Sequence, residues 1–123
     1  MRPKILICDN EAPLRDLVRA TLGDELYDIV EARSGTEALD LAVREGPDLI
    51  LLDVMMPGKS GLDVLRELRS DDALRRTPVI MLTARAYASD RAAAEQAGAN
   101  RFLPKPFSPL ELLAAVEQLV AAR

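Results

Sequence analysis

Two hydrophobic rhythms alternate along this chain. The unbroken apolar runs Ile5 to Cys8, Leu49 to Leu52 and Val79 to Leu82 are too short for helices and end at polar or turn-forming residues, so each reads as a strand buried on both faces. Lys4 joins the first run, and Tyr27 to Glu31 and Arg101 to Leu103 read as two further short strands. Between them, apolar residues recur at helical spacing. Pro13 suits a first helical turn, and Leu14, Leu17, Val18 and Leu22 form the inner stripe of a helix that Gly23 ends. Ser34-Gly35-Thr36-Glu37 is a capping box that opens a second helix, with Ala38, Leu41 and Ala42 inward and Gly46-Pro47 as its stop. Leu62, Leu65 and Leu68 mark a third helix ending near Arg69, and a charged loop from Ser70 to Thr77 follows. Ser89-Asp90 starts a fourth, whose inner face offers mostly alanines, Ala92, Ala93 and Ala97, before Gly98. Small side chains bury little area, so this helix is expected to move most easily. Ser108-Pro109-Leu110-Glu111 is a second capping box, and Leu113, Val116 and Val120 carry the last helix onward.

Five strands alternating with five helices, every crossover helical, predict an α/β fold with one doubly wound parallel sheet covered on both faces. Units of this length favour the flavodoxin-like strand order 2-1-3-4-5. The 123 residues are enough for one domain with its own core, so residues 1–123 are expected to form a single domain, standing alone or excised from a longer protein.

Composition acts mainly by exclusion. The 49% hydrophobic and 29% charged content is that of an ordinary globular chain. No apolar run approaches the ~20 residues of a membrane span, and no small-residue cleavage site follows the N-terminus, so a cytoplasmic location without membrane partners is expected. A net charge of −4 with scattered basic residues argues against direct nucleic-acid binding. Cys8 is the single cysteine and histidine is absent, which excludes internal disulfides, cysteine zinc sites and the commonest general base. Chemistry must run on carboxylates, hydroxyls and lysine.

Such groups stand where strands end. The first strand gives way to Asp9-Asn10-Glu11, the third to Asp53 ahead of Pro57-Gly58, and the fourth to Thr83 followed by the small Ala84. In an open α/β sheet the carboxyl ends of the strands form the ligand crevice. On the order 2-1-3-4-5, Asp9, Asn10, Asp53 and Thr83 converge on one rim, and Lys105 arrives from Pro104-Lys105-Pro106 after the fifth strand. This set suits phosphoryl transfer to a carboxylate. Asp53 would be the nucleophile, and a hard divalent cation would sit on Asp9, Asp53 and a backbone carbonyl. Lys105 would pair with one phosphoryl oxygen and Thr83 would donate a hydrogen bond to another. Taken singly, each residue has a plainer reading: Asp53 a turn residue, Thr83 a strand threonine, Lys105 a solvated charge, Phe102 core, Asn10 a helix N-cap. Their joint placement at successive strand ends favours the site.

The motifs Ile5-Leu6-Ile7-Cys8-Asp9-Asn10-Glu11, Leu51-Leu52-Asp53-Val54-Met55-Met56-Pro57-Gly58, Met81-Leu82-Thr83-Ala84 and Phe102-Leu103-Pro104-Lys105-Pro106-Phe107 stand in the order and spacing of one family. Over essentially its whole length the chain resembles the receiver domain of two-component response regulators. The resemblance implies a phosphorelay module rather than a turnover enzyme, with at most slow self-dephosphorylation. It implies that Asp53 is phosphorylated by a sensor histidine kinase or phosphotransfer protein, that Mg2+ or Mn2+ is required, and that Met55 contributes its backbone carbonyl to the metal. It further implies that Thr83 and Phe102 rearrange to report phosphorylation, and that Lys105 and Pro106 share a cis peptide bond. The expected output surface is the face of the fourth helix, fifth strand and last helix, meeting a downstream effector or a second copy.

Two positions depart from the family pattern. Asn10 stands where the family usually carries the acidic residue that ligates the metal directly; its carbonyl keeps the shape without the charge, so weaker magnesium affinity is expected. Phe102 replaces a common tyrosine, leaving ring packing alone to set its position. Three alternatives stay open: a pseudo-receiver interaction module that is phosphorylated poorly because of Asn10, a flavin carrier, and an aspartyl phosphohydrolase. Asp9 and Glu11 would repel the phosphate of a flavin, and Met55 stands where a phosphohydrolase wants its general acid.

Overall fold

The computed structural model describes residues 2–83 and 88–122, with residues 88–90 and 122 given by backbone alone. Strands and helices alternate as β1 (Lys4–Cys8), α1 (Ala12–Leu22), β2 (Asp28–Ala32), α2 (Gly35–Glu45), β3 (Leu49–Asp53), α3 (Gly61–Ser70), β4 (Val79–Thr83), α4 (Ala88–Gln96), β5 (Arg101–Pro104) and α5 (Pro109–Ala122). The sheet is parallel, in the order β2-β1-β3-β4-β5. Alternation along the strands divides the core into two layers. Leu6, Cys8, Ile50, Leu52, Val79 and Met81 face α2, α3 and α4, while Ile5, Ile7, Leu49, Leu51, Ile80 and Leu82 face α1 and α5. Every residue of β3 and β4 is buried, as expected of central strands in a sheet covered on both faces.

Helix starts follow from local chemistry. Ser34 Oγ accepts from the Glu37 N–H at 3.2 Å, and Ser108 and Glu111 exchange side-chain to backbone bonds at 3.0 and 3.3 Å. Ser60, which the sequence reading passed over, caps α3 by accepting from the Asp63 N–H. Several expectations need correction. Tyr27 is buried but precedes β2, because pairing starts at Lys4 opposite Asp28. Leu17 is 43% exposed: Val18 and Leu22 fill the inner face of α1 and turn it outward. Among the described side chains of α4, Ala94 is the buried alanine and Ala92 is exposed. Leu74 is buried within what reads as a charged loop, and Leu112 takes an inner position on α5. The described part of α4 runs from Ala88, so Ser89 lies within the helix. Ala84 and the side chains of Ser89 and Asp90 lie outside the described residues.

Candidate functional site

Register brings two carboxylates together. Cys8 and Leu52 are paired across β1 and β3, so the residues that follow them, Asp9 and Asp53, stand side by side at the carboxyl edge of the sheet. Both are buried, Asp9 at 0% and Asp53 at 3% exposure. Each is aimed by the loop it opens: Asp9 Oδ1 accepts from the Glu11 N–H at 2.9 Å, and Asp53 Oδ1 from the Met55 N–H at 3.1 Å. The second oxygen of each turns to Lys105, whose Nζ lies 2.8 Å from Asp9 Oδ2 and 3.5 Å from Asp53 Oδ2, with Glu11 Oε1 at 3.6 Å. The Lys105 N–H donates to the Thr83 main-chain oxygen, which ties the β5 end to β4, and the Lys105–Pro106 peptide bond is cis.

Behind Asp53 the chain turns tightly. The Gly61 N–H donates to the Val54 oxygen at 3.0 Å, and a Cβ on Gly61 would stand 2.0 Å from the Asp53 carbonyl oxygen. Only glycine lets α3 start this close to the strand end. Thr83 is fully buried at the end of β4, one residue beyond the Leu82 that pairs with Asp53.

The electrostatics are those of a pocket short of positive charge. Burial, then the neighbouring Asp9, pushes the Asp53 carboxyl up to about 6, although the Met55 N–H and Lys105 both pull it down. Burial also works against the Lys105 ammonium, but Asp9, Asp53 and Glu11 outweigh it and hold Lys105 above its usual value. The donor set therefore fits a hard cation: buried oxygen ligands, with an aspartate destabilised as an anion despite a nearby lysine. Among the described residues no group of three or more histidine, cysteine, aspartate or glutamate side chains is arranged to hold a metal. A cation here would rest on two carboxylates, carbonyl oxygens and water, the set magnesium takes.

The remaining sequence candidates are placed as follows. Asn10 is exposed beside Asp9 and does not cap α1: the N-cap is Glu11, without a side-chain cap bond. Asp9 already accepts the Glu11 N–H, Pro13 has no N–H to offer, and the Leu14 N–H goes to the Glu11 oxygen, so little is left for a cap. Met55 is exposed, with its N–H on Asp53. Phe102 is partly buried in β5 and carries the Arg91 guanidinium 5.5 Å from its ring centroid. An open, mostly apolar cleft of about 550 Å³ flanks Lys105, bounded by Pro13, Leu14, Leu17 and Phe107.

Sequence reading missed Arg15 and Gly61. Arg15 is buried and donates from Nη1 to the Asp9 main-chain oxygen at 2.7 Å. The signal was present, since Arg15 lies three and seven residues ahead of the inward Val18 and Leu22.

Comparison with known proteins gives a consistent picture. A family model described as the response regulator receiver domain matches residues 5–117. A Chloroflexus aurantiacus protein assigned as a response regulator is 32% identical, with a TM-score of 0.93 over 98% of this chain and 99% of that one. The chemotaxis response regulator CheY4 of Vibrio cholerae is 31% identical, with a TM-score of 0.90 over 97% and 99%. The receiver domain of Francisella response regulator 1452 is 30% identical, with a TM-score of 0.91 over 98% of each chain.

Proposed function

Because the chain belongs to the response regulator receiver domain family, we propose that Asp53 is a phosphoacceptor, charged by a sensor histidine kinase or a phosphotransfer protein. The observation that carries this reading is the Asp53 carboxylate, buried at a strand end beside Asp9, with Lys105 Nζ 3.5 Å from Oδ2. Above about pH 6 most Asp53 is ionised and nucleophilic. Met55 engages Oδ1, which leaves Oδ2 to attack phosphorus. The Oδ2–P bond forms as the P–N bond of the donor phosphohistidine breaks, and the imidazole leaves with that electron pair. With Nζ 3.5 Å from Asp53 Oδ2, Lys105 would meet the charge on the transferred group, and Thr83, at the end of the neighbouring β4, would donate to it. Asp9 and Asp53, with the Asn10 and Met55 carbonyls, would hold Mg2+ or Mn2+, which when bound neutralises charge on the phosphoryl oxygens.

The module is read as a switch rather than a turnover enzyme. Met55 supplies no acid or base two residues beyond Asp53, which favours slow self-dephosphorylation. Its output is assigned to the face of α4, β5 and α5, toward an effector or a second copy. α4 is weakly held there: Ala94 is its one fully buried side chain among those described. A cytoplasmic location accords with this role, and no described helix is long and apolar enough to cross a membrane.

Asn10 favours one competing reading, a pseudo-receiver that serves as an interaction module, because this exposed residue adds no charge to the cation site. Intact-mass measurement after acetyl phosphate, with and without Mg2+, separates the two. A Mg2+-dependent phosphoryl adduct on wild type but not on D53A is expected. No adduct on wild type would transfer the case to the interaction module.

A further inference from the structure

Arg15 is a buried cation to which phosphoryl transfer gives no direct task. It lies on α1 at 8% exposure, with Nε donating to Glu31 Oε1 at 2.9 Å and Nη1 to the Asp9 main-chain oxygen at 2.7 Å. Glu31 also accepts from Arg19 Nη2 at 2.7 Å, so one β2 carboxylate anchors both α1 arginines. Burial works against the Glu31 charge, yet the hydrogen bonds from Arg19 and Arg15 outweigh it and hold its carboxyl below the ordinary range. The anchor is therefore a firm one.

The carbonyl that Arg15 grips belongs to the residue at the centre of the acidic pocket. Asp9 donates its N–H to the Ala32 oxygen at 3.0 Å and offers its two carboxylate oxygens to the Glu11 N–H and Lys105. Arg15 closes this set by fixing the peptide that leads from Asp9 into Asn10. The rigid guanidinium fork allows one side chain to hold a carboxylate and a carbonyl at once; a lysine ammonium keeps the charge but lacks that fork.

We propose that Arg15 is a positioning residue for the phosphoacceptor pocket: from its Glu31 anchor it fixes the Asp9 main chain, aims the Asp9 carboxylate at Lys105 and Asp53, and holds the Asn10–Glu11 turn for a divalent cation. Its purpose rests on the phosphoacceptor reading, whereas its geometry does not.

The test uses R15K and R15M, with V116A as a control destabilised from a core position on α5 away from the pocket. Two readouts are taken on purified protein: Mg2+ affinity by calorimetry, and hydrogen exchange of the Glu11 amide without metal. R15K is expected to lower Mg2+ affinity about tenfold, the usual size of effect when a residue orienting a ligand is lost. Faster Glu11 exchange should accompany it, while V116A moves neither readout. Wild-type values of both in R15K overturn the proposal, as do equal changes in V116A, which would mark a purely structural role. Should R15M fail to fold, R15K decides. If wild type takes no phosphoryl group on Asp53, the phosphoacceptor reading falls, and the metal-free exchange readout still decides whether Arg15 orders the turn.

Discussion

Asp53 is buried, and its carboxyl is pushed up to about 6 from an ordinary 3.8, so keeping it ionised at neutral pH costs folding energy. The folded value lies above the unfolded one, so the favourable contribution is fully present below about pH 3.8 and is lost as pH rises through about 6. At about 1.36 kcal/mol per pH unit, that separation corresponds to roughly 3 kcal/mol at neutral pH. D53N removes the charge and keeps the shape, and its amide oxygen can still accept from the Met55 N–H. It also takes a counter-charge from Lys105, which offsets part of the gain. The expected net is that D53N is more stable than wild type by about 1–3 kcal/mol at neutral pH without divalent cations. For a chain of this length that is about 4 °C in Tm per kcal/mol. Urea or thermal denaturation at neutral pH and near pH 4 reads the difference, which should shrink as the wild-type carboxyl becomes protonated and matches the neutral amide. Saturating Mg2+ should raise wild type and leave D53N nearly unmoved, because only wild type retains both carboxylates. A D53N protein less stable than wild type at neutral pH, or a gap that ignores pH, would refute the electrostatic reasoning.

K105M removes the one ammonium between the Asp9 and Asp53 carboxylates; denaturation should show a loss of about 2–4 kcal/mol at neutral pH that narrows on acidification. G61A places a methyl 2.0 Å from the Asp53 oxygen, so α3 and the end of β3 must part, lowering stability by about 1–3 kcal/mol and slowing Asp53 phosphorylation. R91Q removes the cation above Phe102; it should cost about 0.5 kcal/mol and shift the Phe102 ring resonances, with the active-site carboxylates unchanged. A beryllofluoride phosphoryl mimic should alter amide exchange between residues 88 and 103, and unchanged exchange there would remove the output face assigned to α4, β5 and α5.

The order β2-β1-β3-β4-β5 was legible because central parallel strands are short apolar runs, and the strand-end carboxylates were legible because ligand chemistry gathers at that edge. Asp9, Asp53 and Lys105 do meet, as the strand order implies. What stayed hidden depends on contacts between elements. Arg15 was masked by treating arginine as a solvent residue, though its helical phase pointed inward toward Glu31. Gly61 resembles any loop glycine until α3 is packed against β3. Leu17 and Ala92 carry the right periodicity but lie at the edges of their stripes, where packing of the neighbours decides. Asn10 resembled an N-cap because local propensity favours it, but the Asp9 carboxylate had already taken the first free N–H.

The central claim is that Asp53, rather than the equally buried Asp9, takes the phosphoryl group. Borohydride reduces an acyl phosphate to the alcohol, so treating the phosphorylated protein and sequencing its peptides by mass spectrometry locates the modified carboxylate. Homoserine at position 53, with Asp9 intact, is the expected result. Homoserine at position 9, or at neither position after Mg2+ and phosphodonor, would contradict it.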